Sequence, residues 1–274
     1  MDIRLICMDL DGTTLQNDRK SFSPRLHAAL AEAHRRGIAI APVTGRQYGL
    51  LPQVLKEHPV WEQYAVVCNG AQIRLLGSGE VLHRLDITHQ ALEGLLRLAR
   101  KWELPIEFSE DSRLYLTAHS YEQQRPWPNL AFHRDTILAN HGQILEALEP
   151  LCSHRIEKVN LLCIRPEIRE QVLQDLQKIS VSAVWASSTS MEITHPEATK
   201  SAGILALCRL LDIPPEQAMA LGDSGNDESM LRTAGLSIAM GNAPEHIRAM
   251  ADAVTDTNEN DGAAIAIERY ALKL

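Results

Sequence analysis

The sequence lacks the features that would mark a secreted, membrane-spanning or nucleic-acid-binding chain. Its five cysteines, Cys7, Cys68, Cys152, Cys163 and Cys208, are odd in number and contain no Cys-x-x-Cys pair. That argues against a disulfide framework; three of them lie inside apolar runs and read as buried free thiols of a reducing compartment. No apolar run approaches the ~18 residues needed to cross a bilayer. The start, Met1-Asp2-Ile3-Arg4, has no signal-peptide core, so the expected location is cytoplasmic. Positive charge is also short: 27 Lys plus Arg face 35 Asp plus Glu, a net charge of −8, which opposes binding by phosphate neutralisation and predicts no nucleic-acid partner. There is no internal repeat and no low-complexity tract. What is present, 274 residues with 45% hydrophobic and 23% charged, suits one large or two ordinary globular domains with a real core.

Apolar runs stop at polar residues in a repeating rhythm. Ile3 to Met8 ends at Asp9, Ile38 to Val43 at Thr44-Gly45-Arg46, and Ala65 to Cys68 at Asn69-Gly70. Between the first two, Ser23-Pro24 supplies an N-cap with proline at the first helical position. Leu26, Leu30 and Ala33 follow at helical spacing, and Gly37 closes the helix. The rhythm returns later: Ala218 to Leu221 ends at Gly222-Asp223, a short helix runs through Met230-Leu231, Leu236 to Met240 ends at Gly241-Asn242, and a last helix covers Ala263 to Leu272. Alternating strands and helices predict an α/β fold, a Rossmann-like parallel sheet whose polar strand ends form one ligand-binding rim. Between the halves lie an amphipathic helix around Leu92, Leu95, Leu96 and Ala99, strand candidates at Leu114 to Thr117 and Val159 to Ile164, a Pro126 to Pro128 loop, and a helix over Pro166 to Ile179. Glu107 to Arg113 reads as a solvated loop. The expected organisation is a discontinuous core, residues 1–84 and 187–274, interrupted by an inserted α+β domain, residues 85–186.

The rim residues carry the chemistry. In Asp9-Leu10-Asp11-Gly12-Thr13, two carboxylates two apart at a strand end can aim at one small volume, and Gly12 lets the backbone turn away. Such close like charges call for a cation between them or a proton on one. A carboxylate nucleophile beside an acid/base carboxylate, with a hard cation, suits attack on phosphorus. Taken alone, the segment is equally an inert Asp-Gly turn. Gly222-Asp223-Ser224-Gly225-Asn226-Asp227 offers hard oxygen ligands and small residues, or simply an N-cap. Thr44 offers a hydroxyl to a phosphate oxygen, or caps a helix. Lys200 opens a helix, where the macrodipole disfavours a cation, so an ion pair with a functional carboxylate is the better reading.

Together these segments resemble the four motifs of the haloacid dehalogenase superfamily: Asp9-Leu10-Asp11-Gly12-Thr13, Thr44-Gly45-Arg46, Lys200, and Gly222 to Asp227. Cys68-Asn69-Gly70-Ala71, Met240-Gly241-Asn242-Ala243, Ala251-Asp252 and Asn260-Asp261-Gly262 are similar to its Cof-type sugar-phosphatase branch. The resemblance covers both core halves; the inserted segment fits that branch's cap by position and size. It implies a Mg²⁺-dependent phosphatase acting on a small phosphorylated metabolite such as a sugar phosphate. Asp9 would be the nucleophile, forming an aspartyl-phosphate, and Asp11 the acid/base. Thr44 and Lys200 would steady the transferring group, and Gly45, Arg46, Asn69 and Asn226 would bind substrate or phosphate. Mg²⁺ would take Asp9, the Asp11 carbonyl and Asp223, with Asp227 a ligand or just behind one. A phosphomutase on the same scaffold and a non-catalytic phosphometabolite sensor are the alternatives. Relatives usually have Ser-Lys-Gly where this chain has Thr199-Lys200-Ser201, a change that bears on local packing or substrate approach.

Other candidates carry less. The His27/His34 and His83/His89 pairs lack the spacing of a helical zinc site. Trp102, Trp127 and Trp185 read as core or loop anchors of the insert. Asn242 opens toward the rim or merely starts a helix, and His195 is either a specificity contact or a linker residue.

Overall fold

The computed structural model describes residues 2–57, 64–139 and 142–274. The chain divides into two units: Met1–Thr44, Leu51–His83 and Thr199–Leu274 form the first, and Gly45–Leu50 with Arg84–Ala198 the second.

The first unit is built on a five-stranded sheet in the order Ala253–Val254, Leu236–Ala239, Ala218–Gly222, Leu5–Met8, Ala39–Pro42. Every neighbouring pair is parallel, with Leu5 opposite both Ala218 and Ala39. Both faces of the central strand are buried, as a parallel sheet covered by helices requires; Leu5 and Cys7 pack with Ile204 and Leu207. Successive strands build outward in both directions from Leu5–Met8. The order therefore reverses beside that strand, the point where open α/β sheets bind ligands beyond their carboxyl ends.

Local sequence explains the flanking helices. Ser23 accepts from the Leu26 amide and caps Pro24–Arg35, whose Leu26, Ala29, Leu30 and Ala33 face inward. Thr199 caps Lys200–Leu211 in the same way through the Ala202 amide. The last helix begins at Gly262 and widens into a π-helical turn over Ile267–Leu272.

The third apolar run departs from expectation. Tyr64–Val67 meets the parallel sheet through a bridge between Val66 and Val43. Its main partner is Gln72–Leu75, antiparallel, in a three-stranded sheet completed by Val81–Arg84. The tight Cys68–Gly70 turn sends the chain straight back, so the strand that follows pairs with Tyr64–Val67 antiparallel.

The second unit has a six-stranded sheet, ordered Ser182–Ser187, Ser190–Thr194, Lys158–Leu161, Ile106–Glu110, Arg113–Thr117, Gly142–Leu145. All pairs are antiparallel except the last. His89–Trp102 and Arg169–Leu176 contribute Leu92, Leu95, Leu96, Val172 and Leu176 to a core with Phe108, Leu161 and Ile193.

Two expectations change here. Residues 107–113 are not a solvated loop: Ile106–Glu110 is a strand in mid-sheet and Glu107 is fully buried. Ile106 and Phe108 alternate with Glu107 and Ser109, the period of a strand. The boundary expected at 186/187 falls inside the hairpin joining Ser182–Ser187 to Ser190–Thr194, and the chain divides instead at 198/199. Ser190–Thr194 also pairs with Lys158–Leu161, so its ladder bonds hold it in the second unit.

All five cysteines are free and buried, and among the described residues no helix is long and apolar enough to cross a membrane.

Candidate active site

Two loops of the first unit's sheet, each following a strand end, converge on one buried ammonium. Lys200 Nζ lies 2.6 Å from Asp9 Oδ1 and 2.5 Å from Asp227 Oδ1. Its side chain is 1% exposed, beside 7% for Asp9 and 0% for Asp227. Asp9 is fixed from the strand: its amide donates to the Leu221 carbonyl, and its own carbonyl accepts from Thr14 Oγ1. The backbone then turns through Leu10–Thr14 with Gly12 at φ 80°. A Cβ at Gly12 would stand 2.5 Å from Asp223 Oδ2. Glycine is needed there twice over, for the left-handed backbone and for the approach of Asp223.

Asp223 accepts from Thr13 Oγ1 at 2.9 Å. Asp227 accepts through Oδ2 from the amides of Asp223 and Ser224, both at 3.0 Å, while Lys200 holds Oδ1. Ser224 Oγ also donates to Asn226 Oδ1. The capping role expected of this loop is present, Asp227 holding the Asp223 and Ser224 amides with one oxygen and pairing with Lys200 through the other.

Lys200 owes its position to two small residues. A Cβ at Gly70, φ 98°, would fall 2.0 Å from the Thr199 carbonyl oxygen, and one at Gly203 would fall 2.4 Å from Val66. The helix start therefore rests directly on the Cys68–Gly70 turn. Ser201, where the resemblance leads us to expect glycine, bonds Thr233 Oγ1 at 2.6 Å, and its amide donates to Ser229 Oγ. Its side chain joins two helices and takes no part in the lysine's ion pairs.

The carboxylates outnumber the cation. Burial, and then Asp227 and Asp223, raise the Asp9 carboxyl against the pull of Lys200. Burial and Asp227 likewise push Asp223 up to about 6. Burial alone would lower Lys200, but Asp227 and Asp9 outweigh it and hold the ammonium charged. Oxygens of Asp9, Asp223 and Asp227 lie within 4.8 Å of one another. Three carboxylates against one ammonium, all hard oxygen donors, fit a divalent cation of the Mg²⁺ kind.

The structure brings Asp9, Lys200, Asp223 and Asp227 together. Asp11, half-buried, follows Asp9 in the same turn, and Asn226 lies in the Asp227 loop. Thr44 and Asn69 are buried neighbours, the Asn69 amide donating to the Thr44 carbonyl, at the end of the adjacent strand. Gly45 and Arg46 belong to the second unit. The Gly45 carbonyl accepts from Lys158 Nζ, and Arg46 donates to the Leu50 carbonyl. His195 accepts the Glu197 amide within its own turn. Thr13 was not singled out from sequence; its place two residues after Asp11 was the available signal.

Comparison with known proteins extends these observations. A family model described as haloacid dehalogenase-like hydrolase matches residues 6–267. The 5-amino-6-(5-phospho-D-ribitylamino)uracil phosphatase YcsE of Bacillus subtilis is 28% identical, the alignment covering 99% of this chain and 97% of that one. Phosphatase YwpJ of the same organism is 28% identical over 96% and 98%. A solved haloacid dehalogenase-like hydrolase from B. subtilis superposes with a TM-score of 0.84 at 25% identity, covering 98% of this chain and all of the other. The subclass IIB sugar phosphatase BT4131 gives a TM-score of 0.83 at 23% identity over 98% and 99%, a likeness of fold.

Proposed function

Since the chain belongs to the haloacid dehalogenase-like hydrolases and is a phosphatase, we propose that it hydrolyses small phosphomonoesters with Mg²⁺ through an aspartyl-phosphate on Asp9. The observation that carries this reading is the buried Asp9–Lys200–Asp227 ion cluster with Asp223 beside it.

Lys200 holds Asp9 Oδ1 and so fixes the carboxylate that attacks phosphorus. As the phosphorus–oxygen bond to the alcohol breaks, Asp11 delivers a proton to the departing oxygen. Asp11, now a carboxylate, takes a proton from water, whose oxygen attacks the phosphorus and restores Asp9. Lys200 offsets charge on the phosphoryl oxygens, and Thr44, Asn69 and Asn226 donate to them. Gly45 and Arg46 contact the substrate, Gly45 through its amide because its carbonyl is engaged by Lys158. Asp9, Asp223 and the Asp11 carbonyl would hold Mg²⁺, which when bound lets two anions meet and polarises the phosphoryl group. Asp227 was expected either as a metal ligand or just behind one, and its engaged oxygens favour the second reading. With both oxygens occupied by Lys200 and two amides, it serves by orienting Lys200 and the Asp223 loop.

The second unit acts as the cap that selects the alcohol portion, and sugar phosphates are the substrate class we favour. A ribityl phosphate in the name of the YcsE relative supports a phosphorylated polyol or sugar.

Phosphate release from a panel of small phosphoesters, with Mg²⁺ and with EDTA, tests the reading. Release that requires both the metal and Asp9 supports it. Phosphate returned to a second site on the substrate would instead mark a mutase, and binding without release a sensor.

A further inference from the structure

The turn carrying Asp11 is clamped from outside by two asparagines that the mechanism above does not use. Asn242 Nδ2 donates to the Gly12 carbonyl at 2.8 Å. Asn242 Oδ1 accepts from the Asn258 amide at 3.1 Å, and Asn258 Nδ2 donates to the Leu15 carbonyl at 3.0 Å. These residues come from loops after Leu236–Ala239 and Ala253–Val254, the two outer strands on that side of the sheet. They therefore reach past the Asp223 loop, which follows the intervening strand, to grip the turn at both its middle and its end. The grip is itself anchored: the Gly241 amide donates to the Asp256 carbonyl, and a Cβ at Gly241 would crowd the Asp256 and Thr257 backbone.

On the near side, Thr13 holds the same turn to Asp223, and the Leu15 amide closes its neck on the Leu10 carbonyl. The Gly12–Thr13 peptide is thus held on one flank through Thr13 Oγ1 and on the other through its own carbonyl. Gly12 adds no side-chain restraint, and its φ of 80° lies where glycine moves freely. Without the outer bond, the peptide next to Asp11 would lose its hold on the side away from Asp223.

We propose that Asn242 and Asn258 are positioning residues that set the backbone of the Leu10–Leu15 turn, and through it the Asp11 carboxylate and carbonyl. This rests on the reading of Asp11 given above. The energetic case is geometric: a turn with a mobile glycine needs little displacement to spoil a reacting geometry, and misplacement of about 1 Å can cost about 100-fold in rate. Asn242 is exposed, so its replacement leaves the packed interior intact.

Hydrogen exchange on the metal-free full chain provides a readout independent of turnover. Asn242→Ala should speed exchange across residues 10–15 by about tenfold or more while the central strands stay protected. In turnover assays kcat should fall about tenfold with KM within about twofold. Asn242→Asp keeps the acceptor for Asn258 but loses the donor to Gly12, so it should behave as the alanine variant does. Ser237→Ala, which removes a bond to Asp252 in the same region, serves as the structural control. Unchanged protection of residues 10–15 in Asn242→Ala would overturn the proposal, as would Asn242→Asp behaving like wild type. Equal, global loss of protection in Asn242→Ala and Ser237→Ala would also overturn it, by making the role merely structural. Absence of phosphate release in the wild type would instead remove the hydrolase reading and leave the exchange result standing.

Discussion

Asp9 in the first unit and Glu107 in the second are both buried carboxylates beside a basic side chain, yet their surroundings push them in opposite directions. Burial raises Asp9, and Asp227 and Asp223 add to that rise against a single lysine. Burial also pushes Glu107 upward, but His133, Asn160 and Gln124 together outweigh it and hold the carboxyl below its ordinary value. His133 Nε2 sits 2.9 Å from Glu107 Oε2, Asn160 Nδ2 3.0 Å from the same oxygen, and Gln124 Nε2 2.9 Å from Oε1. The second cluster is balanced within itself; the first is short of positive charge. A buried group that is paired holds a structure together, whereas one left unbalanced at a strand-end rim is prepared for a ligand.

The most severe way to break this contrast is to remove the nucleophile. Asp9→Asn should lower phosphate release by about 1,000-fold or more, because the attacking oxygen is gone. Next comes the missing cation. Asp223→Ala should raise the Mg²⁺ concentration needed for half-maximal activity by about 10- to 100-fold, read by metal titration. An unchanged titration would reject Asp223 as a ligand.

A pH series sharpens the same point. With its carboxyl pushed up to about 6, Asp223 in the metal-free protein takes up a proton as pH falls through that value, and a protonated carboxyl is a poor ligand. Mg²⁺ affinity should therefore drop below about pH 6, by about tenfold per unit if one proton is exchanged. The stability sign follows: a raised carboxyl favours the fold below its ordinary value, and that contribution is lost as pH rises through about 6. Metal-free chain should show this loss in thermal melts and Mg²⁺-loaded chain should not. Smallest in its effect on chemistry is the second cluster. Glu107→Ala strands His133 and should cost about 3 kcal/mol in denaturant unfolding, with kcat little changed. A loss of kcat without a loss of stability would undo the contrast.

The rim was the most legible part of the sequence because its constraints are local. Lys200 sits where a helix dipole repels a cation, so only a partner such as Asp9 accounts for it. Gly12 is fixed by a turn and by Asp223, and the strand ends fall where apolar runs stop. What stayed hidden depends on tertiary neighbours. Glu107 and Ser109 look like loop residues until Gln124 and His133 are brought against that side of the strand. Tyr64–Val67 has the composition of a parallel strand, and only the tight turn at Cys68–Gly70 sends its partner back antiparallel. The unit boundary was missed because Ser190–Thr194 owes its place to ladder bonds with Lys158–Leu161, distant in sequence. Ser201 departs from the usual glycine, yet its partner Thr233 is 32 residues away and cannot be read from the motif.

The most direct test of the account is rapid acid quench of the enzyme turning over a good phosphoester with Mg²⁺, followed by mass spectrometry of the peptide containing Asp9. The account predicts phosphate bound to Asp9 at the earliest times, decaying as inorganic phosphate appears and absent in Asp9→Asn. Full turnover through the quench window with no phosphate on Asp9, or with phosphate on another residue, would contradict it.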